Sequence, residues 1–405
     1  MIIGPCTILT GGDEPAVLED AAVRIVGAHI AQVGPAGHLA GAYPDETLWP
    51  ARGGVLMPGL VNTHVHLGRH LARGLNLRGP AEWRRFDRAL SAEDVYWSVM
   101  AGLVEGVRHG VTTVCDFHRS GGCLDLSLNE VVTAAAVAGV RVATCYGAIE
   151  TESPAERRAA LEESLGFAGE IYRRREGRMR GLIGVQATTL DGVERLLADA
   201  LEAAGDRLAV HVDLALDATP GERWKAPEVW RNRALPTMWA HAEVAPRGLV
   251  GEARERGDKL SAVGVGPVAA LVREADIGWG TDAGINAPPV PDATFGWAGA
   301  RAAMHYHRLF VNGAQWGAPH FGTGLGVLAA GSPADLVLVD YRPATEFSTR
   351  TLYEHLWAGL LRAPVSGAIV AGEIVMEGGA LVTVDEAEVA ARARECAKRV
   401  WARLG

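Results

Sequence analysis

Short apolar runs, broken by glycine and proline, fill about the first 50 residues of the chain and return after about residue 325. Runs of this length between turn-forming residues are typical of β-strands joined as hairpins. Neither end segment is large enough to bury a core alone, so we expect the two to pair. The predicted strands of these segments are Ile2–Leu9, Ala22–Val26, His29–Val33, Ala334–Asp340, Val365–Val370 and Glu373–Met376.

Between the end segments, the hydrophobic pattern changes to a regular alternation of strands and helices. The strand bodies are apolar on both faces, as in a parallel sheet covered by helices. Helix ends carry the usual signals, since Ser91 can cap a helix that Gly110 stops, and Gly139 stops another. The predicted strands are Val55–His64, Val111–Phe117, Val140–Tyr146, Arg180–Ala187, Leu208–Leu214, Thr237–His241, Asp258–Val263 and Ile277–Gly280. The predicted helices are Ser91–Arg108, Leu128–Ala138, Pro154–Arg174, Asp191–Ala204, Ala298–Leu309, Leu352–Leu361 and Asp385–Leu404.

The number of strand–helix units favours a closed (β/α)8 barrel over an open doubly wound sheet. We therefore predict an α/β chain with a TIM-type barrel over residues 57–324 and a C-terminal helix over residues 383–405. Residues 1–56 and 325–382 together form a small β-sandwich domain in this prediction. No strand is followed by Gly-x-Gly-x-x-Gly or a P-loop, so the sequence gives no support for dinucleotide or nucleotide binding.

Composition narrows the function classes. The chain has 405 residues, of which 48% are hydrophobic and 21% charged, and its net charge is −9. This balance argues against nucleic acid or an anionic membrane as the main partner. We expect no signal peptide and no membrane span, because no basic n-region and no apolar run of about 18 residues occurs. The five scattered cysteines predict a reducing cytoplasm and exclude a cysteine-based zinc cluster.

The most informative motif is Pro58-Gly-Leu-Val-Asn-Thr-His64-Val-His66, an apolar run that ends in His-x-His. Residues i and i+2 of a strand point to the same side, so His64 and His66 send two imidazoles into one space. Such a pair suits a divalent metal, although a solvated pair of histidines is the commoner reading when it stands alone.

Three further strands supply matching side chains. The predicted fifth strand carries His211, the sixth ends at His241, and the last is followed by Asp282. The reactive groups of a (β/α)8 barrel lie at the carboxyl ends of its strands. Four histidines and one aspartate at such positions therefore predict a metal site, whereas one isolated histidine would only indicate a hydrogen-bonded core residue.

These motifs resemble those of the amidohydrolase superfamily. The resemblance rests on the His-x-His run, on His211 and His241, on Gly-Thr-Asp282 and on Gly331-Ser-Pro-Ala-Asp-Leu-Val-Leu-Val. Within the superfamily the chain is most similar to the cytosine deaminase-like branch of aminohydrolases, which includes SsnA-type proteins and chlorohydrolases. The segment Val104-Glu-Gly-Val-Arg-His-Gly-Val-Thr-Thr-Val matches a helix and strand of that branch.

The resemblance implies roles for the matching residues. His64, His66, His211 and Asp282 would bind one divalent ion, zinc or iron, and His241 would bind the substrate or orient the attacking water. A metal-bound water has a pKa near 7, which makes hydroxide available at neutral pH. Asp282 could then take the released proton.

The chain also departs from the family pattern. Leu214 stands where family deaminases carry the glutamate of His-x-x-Glu, and Gln186 stands where the branch often has a histidine. The stretch Ser261–Pro267 lacks the Asn-Pro-x-Ser-Asn loop of the seventh strand. A deaminase with these losses needs a replacement acid.

Asp213, Glu243 and Asp217 are candidates for that acid, and Asp213 shares the strand parity of His211. Asp213 could equally be a hydrogen-bonded or solvated loop carboxylate, and Glu243 and Asp217 have weaker support than Asp213. His118, Gln186 and Trp83 are predicted to contact substrate. The alternative for His118 is a surface residue or one that supports the site from behind, and the alternative for Trp83 is a solvated charged face. A second His-x-His, His305 and His307, falls on a predicted helix, where i and i+2 do not share a face.

The sequence therefore predicts a metal-dependent hydrolase that acts on the C–N bond of a cyclic amidine or amide, as an aminohydrolase of a small heterocyclic substrate. Two alternatives stay open: hydrolysis of a cyclic amide or another leaving group without deamination, and a metal-retaining pseudoenzyme that binds a ligand. We expect a cytoplasmic homodimer or larger homo-oligomer.

Overall fold

A computed structural model of the chain describes residues 1–174, 177–216, 224–263, 276–288 and 299–405. Its strands form two sheets, one mixed and one parallel. The mixed sheet takes its first strands from the amino-terminal segment, and these strands are β1 (Ile2–Leu9), β2 (Val17–Val26), β3 (His29–Pro35), β4 (Leu48–Trp49) and β5 (Val55–Pro58).

The parallel sheet follows directly along the chain. Its strand bodies are buried, as the apolar runs predicted, because helices cover the outer face and side chains fill the inner one. The strands are β6 (Leu60–His66), β7 (Val111–His118), β8 (Arg141–Ile149), β9 (Met179–Gly181), β10 (Ile183–Ala187), β11 (Val210–Leu214), β12 (Thr237–Ala240), β13 (Lys259–Val263), β14 (Ile277–Gly280) and β15 (Asp282–Ala283).

This sheet closes on itself. Parallel pairing runs in the order β6-β7-β8-β10-β11-β12-β13-β14, and β15 then pairs in parallel with β6. Since β14 and β15 are one strand interrupted at Thr281, that strand joins the two edges of the sheet. The closed sheet, with its helices and the separate mixed sheet, confirms the predicted (β/α)8 fold class.

The carboxyl-terminal segment completes the mixed sheet with β16 (Leu336–Val339), β17 (Val365–Val370), β18 (Glu373–Glu377) and β19 (Ala380–Leu381). Strand β16 pairs antiparallel with β5, so the two ends of the chain meet in the middle of this sheet. Its buried core includes Ile3, Ile8, Leu56 and Leu336.

The described helices are α1 (Ala36–Ala42), α2 (Pro80–Ala89), α3 (Ala92–Arg108), α4 (Ser127–Ala138), α5 (Pro154–Arg174), α6 (Leu190–Ala204), α7 (Glu228–Arg231), α8 (Arg247–Glu255), α9 (Gly299–Tyr306), α10 (Gly313–Phe321), α11 (Leu352–Ala358) and α12 (Glu386–Leu404). Ser91 forms a capping box with Asp94 at the start of α3, and Gly139 ends α4 in the left-handed conformation. Among the described residues, no helix is long and apolar enough to cross a bilayer.

Two predicted strands are each divided in the structure. The run predicted as Val55–His64 breaks at Gly59, so its first part belongs to the mixed sheet and its second to the barrel. A Cβ atom at Gly59 would lie 2.1 Å from the Thr112 hydroxyl, which only glycine avoids. The run Arg180–Ala187 likewise divides into β9 and β10 around Leu182.

A buried ion pair links the barrel to the mixed sheet. Arg141, the first residue of β8, donates to Asp335 with Nη2 and Oδ1 3.1 Å apart, and the backbone N–H of Ala371 donates to the same oxygen. The two side chains are 6% and 2% exposed. Removing one partner of such a pair leaves a buried charge uncompensated.

We expect Asp335→Asn to lower the free energy of unfolding by roughly 3 kcal/mol, because it leaves the buried Arg141 guanidinium without its counter-charge. Urea unfolding followed by circular dichroism measures the effect. The matched control is Asp340→Asn, which removes an exposed pair with Arg342 (side chains 52% and 64% exposed) and should change stability by less than about 0.5 kcal/mol. Equal losses in both variants would contradict the assigned role of the buried pair.

Candidate metal centre

Four histidines and two aspartates converge inside the barrel. The ring of His64 lies 5.0 Å from that of His66, 5.1 Å from that of His211 and 5.2 Å from that of His241, measured between centroids. The aspartates are Asp213 and Asp282. The strand positions predicted one site for the four histidines and Asp282 and left Asp213 as a candidate, and the structure brings all six together.

Strand alternation aims four of these side chains. His64 and His66 project from β6, and His211 and Asp213 project from β11, each pair two residues apart on the inner face. All four side chains are almost completely buried. Asp213 therefore shares the space of the histidines, as its parity predicted.

Two turn residues complete the cluster, and both have left-handed backbone conformations. His241 follows β12 with φ 58°, and Asp282 interrupts the closing strand with φ 60°. For residues other than glycine this conformation costs roughly 1–2 kcal/mol. Such outliers gather at functional sites, because the surrounding structure holds them there.

The contacts around His66 and His241 are close. The Nε2 atom of His66 lies 3.2 Å from Oδ1 of Asp282 and 3.5 Å from Oδ2 of Asp213. The Nε2 atom of His241 lies 3.7 Å from Oδ1 of Asp213. Asp213 thus stands between the imidazoles of two different strands.

Two residues hold these groups in place. Gln186 on β10 donates its side-chain N–H to Oδ2 of Asp213 at 2.5 Å. Glu243 pairs with Nδ1 of His241 at 2.9 Å, and its second oxygen accepts from the backbone N–H of Val263 at 3.2 Å. Gln186 and Glu243, both predicted site residues, orient the cluster from its edge.

A polar layer beneath the cluster secures the closing strand. Asn62 donates to the hydroxyl of Thr281 at 2.8 Å and to Oδ1 of Asn286 at 2.9 Å. Thr63 donates to the carbonyl of Trp279 at 2.7 Å. These bonds fix the segment on either side of Asp282 against β6.

Burial keeps two imidazoles neutral. It lowers the pKa of His64 far below its usual range and lowers the pKa of His211 to about 3. Neutral imidazoles have a lone pair available for a metal. Nε2 of His64 and Nδ1 of both His66 and His211 are buried without a hydrogen-bond partner among the described residues.

The other histidines respond to the carboxylates. Burial alone would lower the pKa of His241, but the hydrogen bond with Glu243 and the charges of Asp213 and Asp282 raise it to about 9. The pKa of His66 is also raised, because the two aspartates outweigh burial and the neighbouring Arg69.

The aspartates themselves stay ionised. Burial would raise the pKa of each carboxyl, but the hydrogen bond with His66 and the nearby imidazoles hold both values well below the usual range. Two carboxylates among buried imidazoles therefore attract positive charge. A divalent cation would supply it, and the donor set of imidazole and carboxylate fits zinc or iron.

The geometry also suits one ion. In two overlapping groups, His64 with His241 and Asp282, and His64 with His66 and Asp213, the potential ligand atoms lie within 4.8 Å of one another. His211 joins them through a contact of 3.0 Å between its Nε2 and Nδ1 of His64.

Two predicted substrate contacts lie away from the cluster. His118 packs on Tyr146 and contacts the Ser120 hydroxyl at 2.8 Å, because alternation along β7 points its neighbour Phe117 inward instead. The ring of Phe117 lies 5.5 Å from those of His66 and His211. That His118 contacts substrate stays a prediction.

Trp83 lies on α2. Its ring packs against the Arg69 guanidinium, 4.9 Å away, rather than against the histidines. Leu214 is buried in the hydrophobic core, on the face of β11 opposite to Asp213. A side chain at that strand position does not face the cluster. Asp217 and most of the stretch Ser261–Pro267 lie outside the described residues.

Sequence reasoning missed the aromatic floor of the site. The ring of Trp316, on α10, lies 5.3 Å from that of His211, and its indole N–H donates to the carbonyl of Leu260 at 3.0 Å. No local pattern in the sequence marks Trp316 as a site residue, because it lies on a helix after the last barrel strand and not at the end of a strand. Asn62 and Thr63 did carry a signal, as polar residues within an otherwise apolar strand.

Comparison with known proteins agrees with this geometry. Residues 55–224, which include both histidines of β6 and His211, match the amidohydrolase family. The chain is 29% identical to a 5-methylthioadenosine/S-adenosylhomocysteine deaminase of Moorella thermoacetica, over 97% of each chain.

Two further likenesses extend over nearly the whole chain. A deaminase of the same name from Pelotomaculum thermopropionicum is 28% identical over 99% of this chain and 98% of its own. The crystal structure of an adenosine deaminase from Xanthomonas campestris with bound zinc has a TM-score of 0.73 at 20% identity, over 99% of this chain and 98% of its own. The likeness to the Xanthomonas campestris structure shows the fold.

We expect the purified protein to contain about one divalent metal ion per chain, and the double variant His64→Ala/His66→Ala to lose it. Elemental analysis by mass spectrometry measures the content. The matched control is the second His-x-His pair, His305→Ala/His307→Ala, which straddles the end of α9 and should keep the metal. Retention of the ion by the first variant would show that it binds elsewhere.

Proposed function

We propose that this chain is a metal-dependent aminohydrolase that removes an amino group from the ring of a nitrogen heterocycle. The observation that carries the proposal is the buried cluster of His64, His66, His211, His241 and two ionised aspartates at one end of the barrel. The names of full-length relatives, deaminases of adenosine derivatives, make a purine nucleoside the first substrate class to test.

In this proposal His64, His66, His211 and Asp282 hold one zinc or iron ion. When bound, such an ion lowers the pKa of a coordinated water from near 16 toward about 7. Hydrolytic deamination adds water to the ring carbon and releases ammonia, so a proton must pass from the water to the leaving nitrogen. Groups at the reacting centre must carry it.

Asp282 and His241 are placed to serve the early part of this reaction. The Asp282 carboxylate is ionised and can accept the proton of the attacking water. His241, held by Glu243 and charged in the absence of a cation, presents Nε2 toward the same space and can stabilise negative charge on the adduct.

The later proton transfer needs a carboxylate that the family supplies from the position of Leu214. That position faces the hydrophobic core in this chain, whereas Asp213 faces the cluster. Asp213 lies within 3.7 Å of imidazole nitrogens on two strands, and Gln186 fixes its orientation. We assign the transfer to the leaving nitrogen to Asp213.

A second function follows from the same substitution. Opening of a cyclic amide breaks the C–N bond and leaves the ring nitrogen as an amine, which must gain a proton. Asp282 could pass on the proton that it takes from the attacking water, so no second acid would be needed, and Leu214 favours this reaction. An assay that follows both ammonia and ring absorbance separates the two, because ring opening changes the spectrum without release of ammonia.

We expect ammonia release from one or more of adenosine, 5′-deoxyadenosine, 5′-methylthioadenosine and S-adenosylhomocysteine. Asp282→Asn should lower kcat by roughly 10³-fold and Asp213→Asn by roughly 10²-fold, in the range of lost acid–base catalysis. A coupled ammonia assay on variants of confirmed metal content measures both. Asp199→Asn, at an exposed position of α6, is the control and should behave as the parent.

The assignment of Asp213 fails if Asp213→Asn deaminates at the parental rate with its metal intact. The aminohydrolase proposal fails if metal-loaded protein releases no ammonia from any of these compounds or from pyrimidine and triazine analogues. In that event ring opening, or ligand binding without turnover, becomes the explanation of the cluster.

We further propose that the enzyme acts in the cytoplasm, which its five free cysteines support, since a reducing compartment keeps thiols unpaired. We also propose a homodimer or larger homo-oligomer, and size-exclusion chromatography with light scattering tests it.

A further inference from the structure

A cavity lies at the opposite end of the barrel from the histidine cluster. Its volume is about 460 Å³, within the range of small-molecule sites. Leu182, Ala209 and Pro236 line it, and each immediately precedes a barrel strand. The cavity therefore opens at the amino-terminal ends of β10, β11 and β12.

The charged side chains that line this cavity are all basic. Arg180 and Arg207 contribute two guanidinium groups, and no aspartate or glutamate is among the described residues that line the cavity. This is the reverse of the chain as a whole, whose net charge is −9. A cleft of one charge sign with apolar walls concentrates its field on ions of the opposite sign.

The remaining walls suit an apolar body. Ile171, Leu208 and Leu235 line the cavity, together with two prolines. His320 adds a hydrogen-bonding group and is 7% exposed. Burial lowers the pKa of His320 to about 4, so its ring is neutral and the arginines alone supply the charge.

We propose that this cavity binds a small organic anion, with its carboxylate or phosphate at Arg180 and Arg207 and its apolar body against Leu208 and Leu235. Such a ligand would be neither the substrate nor a product of the reaction proposed above, because a buried apolar group lies between the cavity and the cluster. This group contains Leu182, which lines the cavity, Phe117, which packs on His211, and Trp316.

The cavity nevertheless touches the elements that hold the metal site. His320 and Trp316 lie one turn apart on α10, and the Trp316 ring packs on His211. Leu208 and Ala209 lie directly before β11, the strand that carries His211. An occupant of the cavity would therefore contact two elements that position a proposed metal ligand.

Isothermal titration calorimetry of the full chain tests the proposal with benzoate, phenyl phosphate, benzyl alcohol and inorganic phosphate. We expect benzoate or phenyl phosphate to bind, and the stronger of the two identifies a carboxylate or a phosphate as the natural group. Binding should weaken as salt is raised, because the attraction is screened.

Four variants locate the site. The double variant Arg180→Gln/Arg207→Gln should weaken binding by roughly tenfold or more, as expected for lost charged hydrogen bonds. Leu235→Trp should abolish it by filling the cavity. Arg195→Gln, which removes an exposed arginine of α6 outside the cavity, should leave it unchanged. His64→Ala/His66→Ala should also bind normally, which separates this result from the proposed reaction.

Several results would overturn the proposal. Benzyl alcohol binding as tightly as the anions would show a purely apolar cavity. Inorganic phosphate binding as tightly as phenyl phosphate would show that the apolar walls contribute nothing. Absence of binding, or binding that survives both the double variant and Leu235→Trp, would show that the cavity is not an anion site.

Discussion

The pairing that closes the barrel is the constraint on which the rest of this structure depends. Asp282 and Ala283 pair with Val65 and His66, and the backbone N–H of Thr281 donates to the carbonyl of His64. These few hydrogen bonds join the first and last strands of a domain that spans more than half the chain. Without them, the carboxylate and the histidine pair would lie on opposite edges of an open sheet, and no common site would exist.

Closure also brings ionisable side chains close together in the barrel. It gathers two carboxylates and four imidazoles, of which His64, His66, His211 and Asp213 are almost completely buried, and unpaired charge is costly in such a place. The aspartates favour the protonated forms of the nearby imidazoles, and the pKa values of His66 and His241 are raised for this reason. The same arrangement that would destabilise an ordinary core thus makes an environment in which a doubly charged cation is favoured, and the strained turns at His241 and Asp282 are retained within it.

Much of this could be predicted from the sequence, because two simple periodicities determine it. Alternation along strands placed His64 with His66 and His211 with Asp213, and apolar strand bodies between helices indicated the barrel. Alternation along β7 also points Phe117 inward, but an apolar ring in an apolar strand carries no sign of a site, so its contacts with His66 and His211 were not predicted. Contacts between distant segments leave no local pattern at all, and the packing of Trp316 beneath His211 could only be seen in three dimensions.

The break at Gly59 has a consequence for how the protein is made. The four residues before it are held in the mixed sheet between β1 and β16, with Pro58 opposite Leu336, while the strand after it carries His64 and His66. A ribosome releases β5 long before it has synthesised β16. One edge of β5 can pair with β1 as soon as both have emerged. Its other edge, which joins the start of the barrel to the carboxyl-terminal segment, stays unpaired until nearly the whole chain has been made.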